Sequence, residues 1–358
     1  MKSSHVRVAV GAGHEILAPS VTRTMANGET RLYPLVMMNS SRMTPRALIA
    51  AVALAIAIPI THGNAQSASK LSGTTLEASV APGNNFDKAN FRLWYPNDVK
   101  TFDGIALLVP GSNGDGRDMA RDSVWQAFAV KHRLALVACQ FTDKKHDQGF
   151  IEEYVNVSQG SGQALLHAIN EFAERSKHPE LANAPMLLWG MSAGGQFNYE
   201  FVAWKPERVI AFVVNKGGIY YTALAPRAAR NVPGLLFTGG KDLEFRTNTI
   251  NGLFAVNRRG GALWALAEEP GVAHVVGRSR DVAMVFFADV LKLRLDAAAP
   301  TSLRALTEKS GFIGDLKAKT FAPIGDTPVP NYPTAWLPTQ RSAEAWQAMV
   351  TEKPFPFN

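Results

Sequence analysis

From about residue 90 onward, short apolar runs alternate with longer amphipathic stretches. The runs at 91–95, 105–109, 134–141, 186–189, 209–215, 234–238 and 262–267 have the length of strands and are closed by glycine, proline or polar residues. Between them, apolar positions recur at helical spacing over about 118–131, 159–176, 195–205, 245–258 and 281–295. Most of the later strands are almost continuously apolar, as a parallel sheet requires when helices cover both of its faces. The pattern therefore predicts an α/β domain with a doubly wound, mostly parallel sheet. Ligands bind such sheets beyond the carboxyl ends of the strands, which directs attention to the loops at 111–117, 142–158, 216–221, 241–245 and 268–280.

The two ends of the chain depart from this pattern. Met43, Arg46, an apolar run over 47–60 broken only by Pro59, and then Gly63-Asn64-Ala65 read as a secretory signal peptide spanning 43–65. Its apolar run is short for a membrane span, so cleavage near Gln66 is expected, with an uncleaved anchor as the competing reading. Residues 1–42 carry no sustained apolar period and are read as an extension ahead of a true start at Met43. The α/β domain is expected to occupy 66–300. Beyond it, Pro323, Pro328, Pro330, Pro333 and Pro338 exclude a long helix. The tail over 301–358 is expected to pack on the domain through Trp336 and Trp346, with a short helix at 342–350.

Charge changes little in this picture. The net charge of +7 comes from 37 basic and 30 acidic residues, but six of the basic and only two of the acidic ones precede position 66, leaving +3 on the remainder. A nucleic-acid partner is not implied. The single cysteine, Cys139, sits in an apolar run and reads as a core residue; a large core without disulfides is compatible with export to a bacterial periplasm or the medium. Asp143, His146 and Asp147 have metal-ligand side chains, but Lys144 and Lys145 between them favour a solvated loop. Arg258, Arg259, Arg278 and Arg280 suggest at most a weak preference for anionic substrates.

The chemistry gathers around Gly190-Met191-Ser192-Ala193-Gly194, set between an apolar strand and a helical stretch. Turning from strand to helix within one residue strains the serine backbone and lifts its hydroxyl to the rim of the sheet, while the glycines let the two arms pass. A serine needs a base, and the base needs a partner that fixes its tautomer. Of eight histidines only His274 follows Ser192, and it lies in the loop after the last strand. Asp242, shortly after the strand at 234–238, is placed to orient it; Glu244, two residues on, could take the role, and a helix cap is the alternative for Asp242. The other carboxylates weighed for the role are Glu268 and Glu269, ahead of the histidine, and Glu200 and Glu207, which belong to the helix after the elbow or its end. The oxyanion would be held by the amides of Ala193 and Ser112, the latter in the glycine-rich turn Pro110-Gly111-Ser112-Asn113-Gly114, which lacks the ending of a phosphate-binding loop. Asn113, Met191, Lys216 and Tyr220 are the candidates for contacting substrate, with Tyr221 beside them.

The elbow, the Pro110-Gly111-Ser112 turn, Asp242 and His274, in that arrangement, resemble the α/β-hydrolase superfamily over roughly residues 90–297. The Ser-Ala-Gly-Gly form of the elbow is similar to secreted polyhydroxybutyrate depolymerase-like and feruloyl-esterase-like enzymes. The resemblance implies an exported serine hydrolase of carboxylic esters, polyester or aryl ester included. It is expected to be a secreted or periplasmic monomer needing no cofactor or metal, with a small or polymeric ester as its partner and no membrane contact once the signal is removed. The loop around His274 lacks the tryptophan and glycine setting of the depolymerases, and their cysteine pairs are absent. Amide hydrolysis by the same triad and a non-catalytic binding module are the competing readings.

Overall fold

Successive side chains of a strand enter opposite layers, and β6 (Gly104–Val109) shows it: Leu107 joins one hydrophobic core and Leu108 the other. The same split at Leu188 and Leu187 of β8 (Met186–Gly190) makes a sheet with a core on each face. The computed structural model describes residues 71–147, 151–296, 302–325 and 332–356, together with the backbone of 5–10, 14–24 and 30–34. The region proposed as signal peptide, 43–65, lies outside the described residues.

Residues 67–358 form one of two compact units. Its main sheet runs β11-β10-β9-β8-β6-β7-β5-β4, adding β4 (Gly73–Val80), β5 (Lys88–Pro96), β7 (Leu134–Thr142), β9 (Val209–Asn215), β10 (Gly234–Gly239) and β11 (Trp264–Glu269). Pairing is parallel from β11 to β7, and antiparallel for β7 with β5 and β5 with β4. Helices α2 (Ser161–Ser176), α3 (Ala193–Trp204) and α5 (Glu244–Arg259) pack on one face. The other face is covered by α1 (Ser123–Lys131), α6 (Ser279–Arg294) and α7 (Gln340–Val350). A one-turn helix, α4 (Arg227–Arg230), precedes β10. This is the doubly wound sheet the apolar runs predict. The runs did not predict β4, because an edge strand with one face in solvent alternates and has no continuous apolar stretch.

The tail adds a small antiparallel sheet of β12 (Phe312–Asp315), β13 (Thr320–Pro323) and β14 (Ala335–Leu337), none of which was expected from patterning. Trp336 and Trp346 are wholly buried, and their indole N–H groups donate to Glu308 O and Leu266 O. Three of the arginines suspected of greeting an anion have structural partners instead. Arg258 donates to Thr334 O and Ala262 O and pairs with Glu308, Arg278 caps the carbonyls of Ala348, Met349 and Lys353, and Arg280 bridges to Asp122.

The first unit, residues 1–66, contains a three-stranded antiparallel sheet of β1 (His5–Val10), β2 (His14–Thr24) and β3 (Thr30–Pro34). The sequence pattern predicts no element there.

Candidate active site

Every residue of β8 is buried, and the chain leaves its end through Met191, which bridges to Asn215, into α3. Ser192 makes the turn alone, with φ 55° and ψ −123°, a conformation that costs a non-glycine residue of order 1–3 kcal/mol. Its N–H donates to Asn215 O at 2.8 Å, which fixes the strained residue to the neighbouring strand. A Cβ on Gly190 would fall 2.3 Å from the Gly194 carbonyl, and one on Gly194 would fall 2.2 Å from Val109 O. No backbone can yield that far, so both positions require glycine.

His274 stands in the loop between β11 and α6. Its Nδ1 lies 2.8 Å from Asp242 Oδ2, with the Asp242 side chain 2 % exposed and the imidazole 30 % exposed. Burial alone would raise the Asp242 carboxyl. Hydrogen bonds from His274, the Leu243 N–H and Arg246 outweigh it and hold the group below the usual carboxylate range. An ionised Asp242 keeps the proton on Nδ1 and leaves Nε2 as an acceptor, the state a general base requires. Glu244 begins α5 and accepts instead from Asn248, so Asp242 is the carboxylate at His274. The loops that carry the pair are tied together: Gly240 N donates to Glu269 O and Lys241 N to Val272 O. Asn215 joins this loop to the elbow, since its side-chain amide donates to Val276 O at 3.5 Å.

The turn after β6 approaches the elbow closely enough that a Cβ on Gly111 would lie 3.7 Å from Ser192 Cβ. Gly114 N closes the turn onto Gly111 O, and Asn113, at φ 53°, gives its N–H to Tyr154 Oη at 3.2 Å. Ser112 N–H is left without a protein acceptor among the described residues, and Ala193 N–H opens α3, where a helix supplies none. Ser112 and Asn113 also line a cleft of about 560 Å³, together with Asp143, Lys144, Lys145 and His146. Asp143 accepts from Tyr154 N, faces His146 Nε2 at 3.5 Å, and gives its own N–H to Asn113 Oδ1.

Two of the residues expected to contact substrate are placed otherwise. Lys216 is 0 % exposed, with its ammonium 3.2 Å from Glu269 Oε2, so it is a buried ion-pair member and not part of a pocket wall. Tyr220 turns its hydroxyl inward, over Gly217 and beside the Tyr199 ring, where it has no partner among the described residues and burial raises it well above the usual phenol range. The exposed ring is that of Tyr221, one position along. Met191 is half-buried and packs on the α1–α6 side of the core, while Asn113 remains at the cleft. Sequence reasoning missed Asn215, Arg246 and Tyr154, and weighed Glu269 only as a carboxylate for the histidine, whereas it pairs with Lys216 and Arg278 N. The one available signal was a polar residue closing an apolar strand, as Asn215 closes β9.

The strand order, with the serine turn after β8, the carboxylate after β10 and the histidine after β11, makes this an α/β-hydrolase fold. No family model matches the chain, and no curated protein matches it. Among solved structures, a poly(3-hydroxybutyrate) depolymerase from Bordetella parapertussis aligns with TM-score 0.46 and 16% identity over 64% of this chain and 93% of its own. A ferulic acid esterase aligns with TM-score 0.44 and 10% identity over 63% and 99%, and an esterase of Pyrobaculum calidifontis with 0.43 and 14% over 63% and 86%. These likenesses concern overall fold.

Proposed function

We propose that this protein is a serine hydrolase of carboxylic esters. The observation that carries the reading is the Asp242–His274 hydrogen bond at 2.8 Å, on the same sheet rim as a serine held at positive φ. Ser192 attacks the ester carbonyl while His274 Nε2 takes its proton. The Ala193 and Ser112 amides receive the oxyanion; His274 then protonates the departing alkoxide, and water releases the acyl group by the same steps in reverse. Leu243, Phe245 and Val275 flank the pair and are exposed, and Tyr221 is exposed as well, which suits an apolar acyl or aryl group.

The reading is tested with a fluorophosphonate probe and a panel of p-nitrophenyl esters of rising chain length, run beside aryl amides and polyesters. Stoichiometric labelling at Ser192, lost in His274→Ala, and turnover of esters well ahead of amides are expected. An unlabelled, inactive protein would leave a binding module as the better reading; amides cleaved as fast as esters would make it an amidase.

Export is part of the proposal, on the strength of the apolar run over 47–60 and the small residues after it. Material exported by a bacterial host should begin at or near Gln66 on N-terminal sequencing. The full-length chain retained in the cytoplasm would count against export.

A further inference from the structure

A lysine ammonium taken out of water is costly even when paired, and a hydrophobic residue of similar volume would serve stability as well or better. Lys216 carries that cost at 0 % exposure and adds a second one, a backbone φ of 56° outside the range non-glycine residues favour. Its Nζ lies 3.2 Å from Glu269 Oε2 and 3.2 Å from Asn215 Oδ1. Burial pushes the ammonium down, while the carboxylates of Glu269 and Asp242 pull it back up, which puts the cation within the field of the Asp242–His274 pair.

Each member of this cluster also holds one of the three loops that carry chemistry. Asn215 O accepts from Ser192 N, and the Asn215 amide reaches Val276 O. Glu269 O accepts from Gly240 N, ahead of Asp242, and Glu269 Oε1 accepts from Arg278 N at 2.7 Å, at the far end of the His274 loop. Lys216 N donates to Phe237 O, and a Cβ on Gly239 would lie 3.0 Å from the Lys216 Cε.

We propose that Lys216 and Glu269 form a buried positioning pair that joins the loops of Ser192, Asp242 and His274 and sets the charge balance around the Asp242–His274 hydrogen bond. The proposal rests on the serine-hydrolase reading of the same site. The charged groups on the elements around His274 are Asp242, Lys241, Glu244 and Arg246 from the β10–α5 segment, Lys216 after β9, Glu268, Glu269 and Arg278 from β11 and its loop, and Arg280 and Asp281 at the start of α6, which pair with each other and, through Arg280, with Asp122. Arg278 directs its guanidinium to the tail carbonyls, away from the pair.

The test is titration of the His274 imidazole by NMR, beside the pH profile of ester hydrolysis, in the full chain and in Lys216→Met and Glu269→Gln. Losing the cation favours imidazolium, so the His274 midpoint in Lys216→Met should rise by about half to one pH unit; losing the anion should lower it by a similar amount in Glu269→Gln. The acid limb of kcat/KM should move with the midpoint, with kcat down about tenfold or more and KM little changed. The double variant should return the midpoint toward the wild-type value while kcat stays low, because the side-chain contact between Lys216 and Glu269 remains cut. Unchanged midpoints, or shifts of the same sign in both folded variants, overturn the proposal. Glu269→Gln keeps a hydrogen-bonding partner for Lys216 and decides alone if Lys216→Met does not fold. If the wild type neither hydrolyses esters nor takes a fluorophosphonate, the serine-hydrolase reading fails, while the midpoints still judge the pair.

Discussion

Ser192→Ala is expected to give a folded protein whose ester hydrolysis falls by roughly 10³-fold or more. The fold should survive because the turn depends on backbone contacts that alanine keeps: Ser192 N to Asn215 O, and the glycine approaches at 190 and 194. Alanine at φ 55° meets the same steric cost as serine, so little stability changes hands. What disappears is the proposed nucleophile, which on that reading leaves only binding and the Ala193 and Ser112 amides to act on the carbonyl. Circular dichroism and thermal melting establish the fold, and turnover of p-nitrophenyl esters gives the rate. Comparable turnover by the purified variant would mean that another residue attacks.

Asp242→Asn should be crippled as deeply, by up to about 10⁴-fold, for a different reason. An asparagine that presents its NH₂ to Nδ1 reverses that hydrogen bond, moving the imidazole proton to Nε2 and leaving no base for Ser192. One that presents its oxygen keeps the tautomer but no longer stabilises the imidazolium. The change also removes the anion that Arg246 Nη1 meets at 3.1 Å. Glu244→Gln should leave the rate within about twofold, because its side chain contacts Asn248 in the first turn of α5 and not His274. If the Glu244 variant loses activity and Asp242→Asn changes only the melting temperature, then the acid role belongs two residues along. These two substitutions thus separate orientation of the base from local capping, since Asp242 Oδ1 does accept the Leu243 N–H while Oδ2 faces His274.

The sheet was legible because the strands from β6 to β10 are buried on both faces and so read as unbroken apolar runs. The edge escaped notice: β4 alternates, and the tail strands β12, β13 and β14 are three or four residues each, too short for any period to register. Helix starts differ from the apolar spacing by one to five residues, and for two of them the local reason is plain. Apolar spacing predicts α3 from Gly195, but the helix opens at Ala193, directly after the strained serine. The stretch from 118 divides into a short 3-10 turn and α1, with Asp122 capping the amides of Val124 and Trp125.

For the candidate site, sequence by itself determined the order of serine, carboxylate and histidine and their places after strands, because turn glycines and a histidine unique beyond Ser192 leave marks in one dimension. It could also name the two candidate carboxylates. Only the tertiary structure decided which of them meets His274, since a separation of 32 positions is closed by the parallel pairing of β10 with β11 and not by any local rule. The same holds for Lys216. Its position beside Tyr220 in a loop suggested contact with substrate, whereas the left-handed backbone at 216 turns the side chain inward to Glu269, 53 residues away. Local spacing reports which residues share a turn or a strand end, but the direction of a side chain that pairs across the sheet is set by packing, and that appears only when the strands are assembled.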